Sequence, residues 1–297
     1  MPELLDPKVD FVFKRIFGDE RNKDILVHFL NSIFESANEP LIESVEILNP
    51  YLDKDALTDK MSVLDIRART STRTLINVEI QLWNAGDMEK RTLYYWAKLY
   101  AGQMEEGDPY RTLQKSITVN VLDFNTIENN QYHNVFHVRE DKTGLLLTDA
   151  LEIHFLELRK LRNELLKPEQ RLVRWMLFLS SRSKENMEEL AKEDPAMRKA
   201  LTTLEFLSQD EEARQLYEAR QKALHDYASA IGEARDKGRT EGRVEGREEG
   251  RTEGRTEGRK ERDMEFARQL IAEGEPLERV ARLTGLSLQE LQKLSAD

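Results

Sequence analysis

Met61–Trp83 reads MSVLDIRARTSTRTLINVEIQLW, and the alternation within it decides the fold. Val63, Asp65 and Arg67 alternate with Leu64, Ile66 and Ala68. After a polar turn from Arg69 to Arg73, Asn77, Glu79 and Gln81 alternate with Ile76, Val78, Ile80 and Leu82. A period of two predicts two strands, each with one apolar face that needs a core beneath it. A hairpin closing symmetrically about Thr72 sets Asp65 opposite Glu79, with Cβ atoms about 5 Å apart, and leaves Gln81 diagonal to Asp65 at about 7–8 Å. Opposed carboxylates repel unless a cation bridges them. Two carboxylates and an amide oxygen suit one Mg²⁺, which takes hard oxygen ligands at about 2.0–2.1 Å and keeps several waters.

The blocks around the hairpin carry a family resemblance. They are DPKVDFVFKRIFG at 6–18, DKMSVLDIRA at 59–68, INVEIQ at 76–81 and RTLYYWAKLYAGQMEEGDPYRTL at 91–113. Together with Asp…Glu-x-Gln they resemble the Rpn recombination-promoting nucleases, transposase-type members of the PD-(D/E)XK nuclease superfamily. The resemblance covers most of the first half and, more loosely, the tail. It implies an α/β fold: a restriction-endonuclease-like core, a mixed sheet flanked by helices, then an all-helical C-terminal region. It also implies a DNA endonuclease using Mg²⁺ (or Mn²⁺), with Asp65 and Glu79 as metal ligands and Asp65, Glu79 and Gln81 as catalytic residues. Gln81 stands where the family commonly has Lys. Glutamine is neither a base nor a cation, but it can orient a water or ligate through its amide oxygen, so the departure bears on rate more than on metal binding.

Further residues are weighed beside this trio. Asp10 and Lys14 lie four apart on a helix and share a face. By themselves they read as an exposed ion pair, whereas the resemblance implies a helix beside the hairpin that completes the site. Lys60 is a surface lysine by default and a phosphate contact if the site extends to it. Arg91 and Lys98 share a helical face with Tyr95 and are candidate DNA phosphate contacts, while the tyrosines and Trp96 are expected in the core. The histidines, His28, His133, His137, His154 and His225, form no HExxH pair. His133 and His137 fall on one face of a strand, too far apart to chelate readily, and all five are read as non-catalytic. There is no GxxxxGK[ST] loop and no GxSxG elbow.

Composition narrows the class. The 297 residues are 39% hydrophobic and 34% charged, with net charge −11 and a pI of about 5.2. That balance argues against a protein held on nucleic acid by overall charge, though not against a nuclease, because a metal supplies positive charge at the phosphate. Without cysteine there are no disulfides and no thiolate zinc sites. MPELLDPKVD lacks the apolar run of a signal peptide, and no run approaches the roughly 18–20 apolar residues needed to span a bilayer. A cytoplasmic, non-membrane protein is expected.

Along the chain, helices are predicted from Asp6-Pro7 to Gly18, from about Arg21 to Phe34 and from Asp87 to about Gly107. Strands are predicted at 42–48, 116–124, 131–138 and 153–158 around the hairpin. From Pro168 onward strand signals cease. The expected organisation is a nuclease-like domain at 1–165, a helical region at 166–230, a Gly-Arg-x-Glu repeat at 231–262 and a helix-turn-helix-like tail at 263–297. The repeat runs GRTE, GRVE, GREE, GRTE, GRTE, GRKE from Gly238 to Glu261. Each helical glycine costs about 1 kcal/mol, and Arg–Glu pairs return part of it. The repeat reads either as a self-associating helix whose glycine stripe allows close approach, giving a homo-oligomer and most simply a dimer, or as a solvated linker. Two functions therefore stand: a Mg²⁺-dependent DNA endonuclease with little sequence readout, or a nuclease-fold module of weak or lost activity acting through assembly or DNA binding.

Overall fold

The computed structural model describes residues 3–48, 66–162, 170–181 and 183–295. Two compact units divide the chain, Met1–Leu224 and His225–Asp297. The first unit opens with helices α1 (Asp10–Phe17) and α2 (Lys23–Ala37), followed by strands β1 (Val45–Ile47), β2 (Ile66–Thr70) and β3 (Leu75–Gln81). Helix α3 (Met88–Ala101) then leads to β4 (Ser116–Leu122), β5 (His133–Arg139) and β6 (Leu146–Glu157), and α4 (Arg171–Ser180), α5 (Lys184–Ala191) and α6 (Pro195–Gln209) follow. This is the expected mixed α/β core.

The six described strands run in the order β1-β2-β3-β4-β6-β5. β1, β2 and β3 form an antiparallel meander. β3–β4 and β4–β6 are parallel, and β5 returns antiparallel at the edge. Parallel neighbours need a crossover, and α3 supplies it between β3 and β4.

One face of the sheet carries Ile76, Val78 and Ile80 of β3 beside Ile117, Val119 and Val121 of β4. It packs on Phe13 and Phe17 of α1, Phe29 of α2, Trp175 and Phe178 of α4 and Leu204 of α6 in one core. Helices after residue 170 therefore share the core of the sheet. The opposite face, under α3, is polar at its centre: Asn77, Glu79, Thr118 and Asn120 are all buried there. Both faces of β3 are covered, and only Gln81 is half-exposed.

Several boundaries shift for local reasons. α1 begins at Asp10, and Asp6 instead accepts the N–H of Lys8 at 2.9 Å in the preceding turn. β1 begins at Val45 because the Asn31 side chain holds both the N–H and the C=O of Ile42, at 2.8 and 2.9 Å. α3 stops at Ala101, and the Gln103 amide then ties the following turn to Gln114. β6 begins earlier than its apolar run because its first residues form an exposed ribbon with β5. The aromatics of α3 are not core. Only Met88 and Thr92 of this helix are buried, and Trp96 sits half-exposed with its Nε1–H on the Ser116 carbonyl at 2.9 Å. A helix lying over a polar strip has no apolar floor in which to bury them.

α7 (Glu211–Ala272) contains the whole Gly-Arg-x-Glu repeat in one helix. In the second unit, α8 (Leu277–Thr284) and α9 (Leu288–Leu294) close a small core of Ala267, Val280, Leu286 and Leu291. Gly285, at φ +72°, makes the turn between them. Ser287 and Glu290 form the capping box of α9, the sequence signature of a helix start. Nothing lies within 4 Å of where a Cβ would sit on the repeat glycines from Gly238 to Gly258.

Candidate active site

The β2–β3 hairpin pairs Ile66 with Val78, Arg67 with Asn77 and Ala68 with Ile76. That is the register centred on Thr72. Its turn is held by Arg73 N–H to Thr70 O and Thr70 N–H to Thr74 O, both at 2.9 Å. Asp65 and Lys60, which the sequence reading placed at the site, lie outside the described residues.

Glu79 is 1% exposed. Parallel pairing puts it beside Asn120 of β4, with Asn77 beside Thr118. α3 brings Arg91 over the pair, Nε to Glu79 Oε2 at 3.6 Å. The same guanidinium lies 5.3 Å from the centre of the Tyr95 ring. Arg91 is thus turned inward to a carboxylate, where a phosphate contact was expected. Lys98 remains on the outer surface of α3, its ammonium 4.9 Å from the Tyr94 ring centre. Below α3, Thr92 and Asn120 bond side chain to side chain at 2.9–3.1 Å. The Asn77 amide, 2% exposed, has no hydrogen-bond partner for either its oxygen or its nitrogen among the described residues. Gln81 stands two residues beyond Glu79 on the same face. Along one face β3 therefore presents amide, carboxylate and amide oxygens, the hard donors that Mg²⁺ takes.

Lys14 and Asp10 part company. Lys14 is buried near the start of β2: a Cβ on Gly18 would meet the Lys14 side chain at 3.1 Å and Ile66 Cγ1 at 3.3 Å. α1 does pack beside the hairpin, as expected. Asp10 instead binds Arg220 of α7, with contacts of 2.8 and 3.1 Å.

A second polar cluster occupies the opposite face. Glu152 of β6 pairs with Ile117, which pairs with Ile76; strand partners share a face, and Ile76 faces away from Glu79. Glu152 is fully buried. A carboxylate only accepts, so His154 Nε2 donates to Glu152 Oε1, at 2.5 Å. The chain continues from His154 Nδ1 to His133 Nε2 at 2.9 Å and from His133 Nδ1 to Ser36 Oγ at 3.0 Å. Lys115 forms an ion pair with Glu152 and reaches Glu39 at 3.5 Å. His137 Nε2 lies 3.5 Å from Glu152 and 3.9 Å from Glu39. Burial pushes the Glu152 carboxyl up, but His154 and Lys115 more than offset it and hold it down at about 2. Burial, with His154 adding to it, lowers His133 to about 3. The histidines drew no role in the sequence. A Glu-x-His on one strand face, Glu152 and His154, was the available signal.

No curated protein and no solved structure matches the chain. The family model for the PD-(D/E)XK nuclease family transposase matches residues 7–234, a span that holds the hairpin, the crossover helix and the buried Glu79, and the chain belongs to that family.

Proposed function

We propose that the protein is a DNA endonuclease of the transposase type, dependent on Mg²⁺ or Mn²⁺. The observation that carries this reading is Glu79, a buried carboxylate on the central strand of the PD-(D/E)XK hairpin, in the register expected to bring Asp65 to it. Asp65 and Glu79 would hold the metal, with Gln81 beside them. When bound, the metal polarises the scissile phosphate and lowers the pKa of a water. Gln81 orients that water through its amide. Lys14 and Lys60 are proposed as accessory groups, and Lys98 as a phosphate contact. Low sequence specificity follows from the acidic balance of the chain, since base readout usually comes with a basic recognition surface. No helix among the described residues is long and apolar enough to cross a membrane.

The test is nicking of supercoiled plasmid with and without Mg²⁺. The wild type is expected to nick only with the metal, and Asp65→Ala to be inactive at an unchanged melting midpoint. An Asp65→Ala protein that nicks at the wild-type rate removes the site assignment.

Arg91 favours the rival reading, a nuclease-fold module of weak or lost activity. It already neutralises Glu79 at 3.6 Å, and Gln81 replaces the usual Lys. Thermal melting separates the two readings, since a metal bound only by the folded state raises the midpoint by mass action. Absence of any shift with Mg²⁺ or Mn²⁺ favours the module.

The repeat of α7 is proposed as the dimerisation element. A long helix with glycine at every fourth position is marginal by itself in water, and a partner helix along the glycine stripe supplies order. Light scattering should give a dimer for the full chain and a monomer for a chain ending at Ala230. The same oligomeric state for both chains would make the repeat a linker.

A further inference from the structure

We propose that Glu39, His137 and Glu152 form a second divalent-metal site, selective for Zn²⁺, on the sheet face opposite Glu79. One ligand atom from each lies within 4.8 Å of the other two. Two of the separations are 3.5 and 3.9 Å. Ligands about 2.1 Å from a tetrahedral zinc stand about 3.4 Å apart, so modest side-chain rotation suffices to close the set.

The residues come from three places in the chain: Glu39 just beyond α2, His137 on β5 and Glu152 on β6. Glu152 is fixed before any metal arrives. Its Oε1 accepts from His154, whose ring is in turn held by His133, and Oε2 faces His137 and Lys115. A ligand oriented by a buried hydrogen-bonded partner is the usual outer shell of a metal centre. Imidazole with two carboxylates selects a transition metal over Mg²⁺.

Lys115 holds the place of the cation. Two carboxylates face its one ammonium, so the cluster keeps a negative surplus that a divalent ion neutralises. The Lys115 side chain is 22% exposed and has a path outward. The site opens on a cleft of about 670 Å³ lined by Thr70, Thr72, Thr74 and Arg139 among others. Three protein ligands leave a fourth position toward that cleft, the arrangement of an open zinc site. Bound zinc would also staple the end of α2 to the β5–β6 ribbon.

The experiment titrates chelator-treated full-length protein with Zn²⁺ alone, reading bound metal by calorimetry and stability by thermal melting. Expected is one Zn²⁺ per chain that persists in Glu79→Gln, is lost at least about tenfold in affinity in His137→Ala and Glu39→Gln, and binds more tightly in Lys115→Met; any further zinc that disappears with Glu79→Gln belongs to the Asp65 and Glu79 site. Tighter binding after removal of a lysine is not expected of a cluster that is merely an ion-pair network, and it can be read even if His137→Ala fails to fold. Zinc binding indifferent to both His137→Ala and Lys115→Met, all zinc binding lost in Glu79→Gln, or no zinc binding at all overturns the proposal.

Discussion

Glu79→Gln should lower divalent-dependent DNA cleavage by at least about 100-fold while the protein stays folded. Gln is nearly isosteric with Glu, so the packing around this 1%-exposed side chain under α3 is kept. What is lost is the charge, and with it the attraction for a metal and the ion pair to Arg91 at 3.6 Å. Removing one partner of a buried pair costs about 3–5 kcal/mol when the other charge is left fully buried. Arg91 is 30% exposed at its side chain and can turn to water, so the folding cost is expected to be well below that range. Cleavage should therefore fall far more than the melting midpoint. Gln81→Lys provides the contrast. It restores the residue common in the family at the half-exposed end of β3, and activity should be kept or raised. The checks are plasmid nicking rates and melting midpoints of both variants. Wild-type cleavage by Glu79→Gln would remove the carboxylate from the mechanism. Loss of cleavage in folded Gln81→Lys would make Gln81 a specific ligand.

Trp175→Ala should destabilise the first unit by about 3–5 kcal/mol. Trp175 is fully buried on α4. Its ring centroid lies 5.5 Å from Phe17, 5.7 Å from Phe29 and 5.7 Å from Phe178, all at steep angles, so truncation opens a cavity between α1, α2 and α4. Its Nε1–H also donates to His28 Nδ1 at 3.0 Å, which leaves that imidazole without its donor. Denaturant unfolding followed by far-ultraviolet circular dichroism measures the loss. A change below about 1 kcal/mol would mean that the three helices close the space by themselves. Because these helices back the apolar face of β3, the variant should also lose cleavage above its lowered midpoint and keep it below.

Local pattern in the chain was enough for whatever depends on near neighbours. The alternation through Met61–Trp83 specified the hairpin and its register, because a slip of one residue would turn every apolar side chain of β3 outward. The flanking blocks named the family. The four-residue repeat, with its Arg–Glu pairs, left an extended helix and a solvated linker both open, since pairs within one turn offset only part of the cost of the glycines. The remaining features rest on residues far apart in the chain and come from long-range packing. α3 crosses between two parallel strands and buries the Glu79 face, and it turns Arg91 inward; no local pattern distinguishes a covered polar strip from an open one. Asp10 leaves the hairpin for Arg220 through a contact more than two hundred residues distant. The cluster of Glu39, His137 and Glu152 exists because the parallel register of β4 and β6, with β5 folded back on β6, brings it to the end of α2. Side-chain period states which residues share a face of one strand, and only strand order and register state which strands share that face.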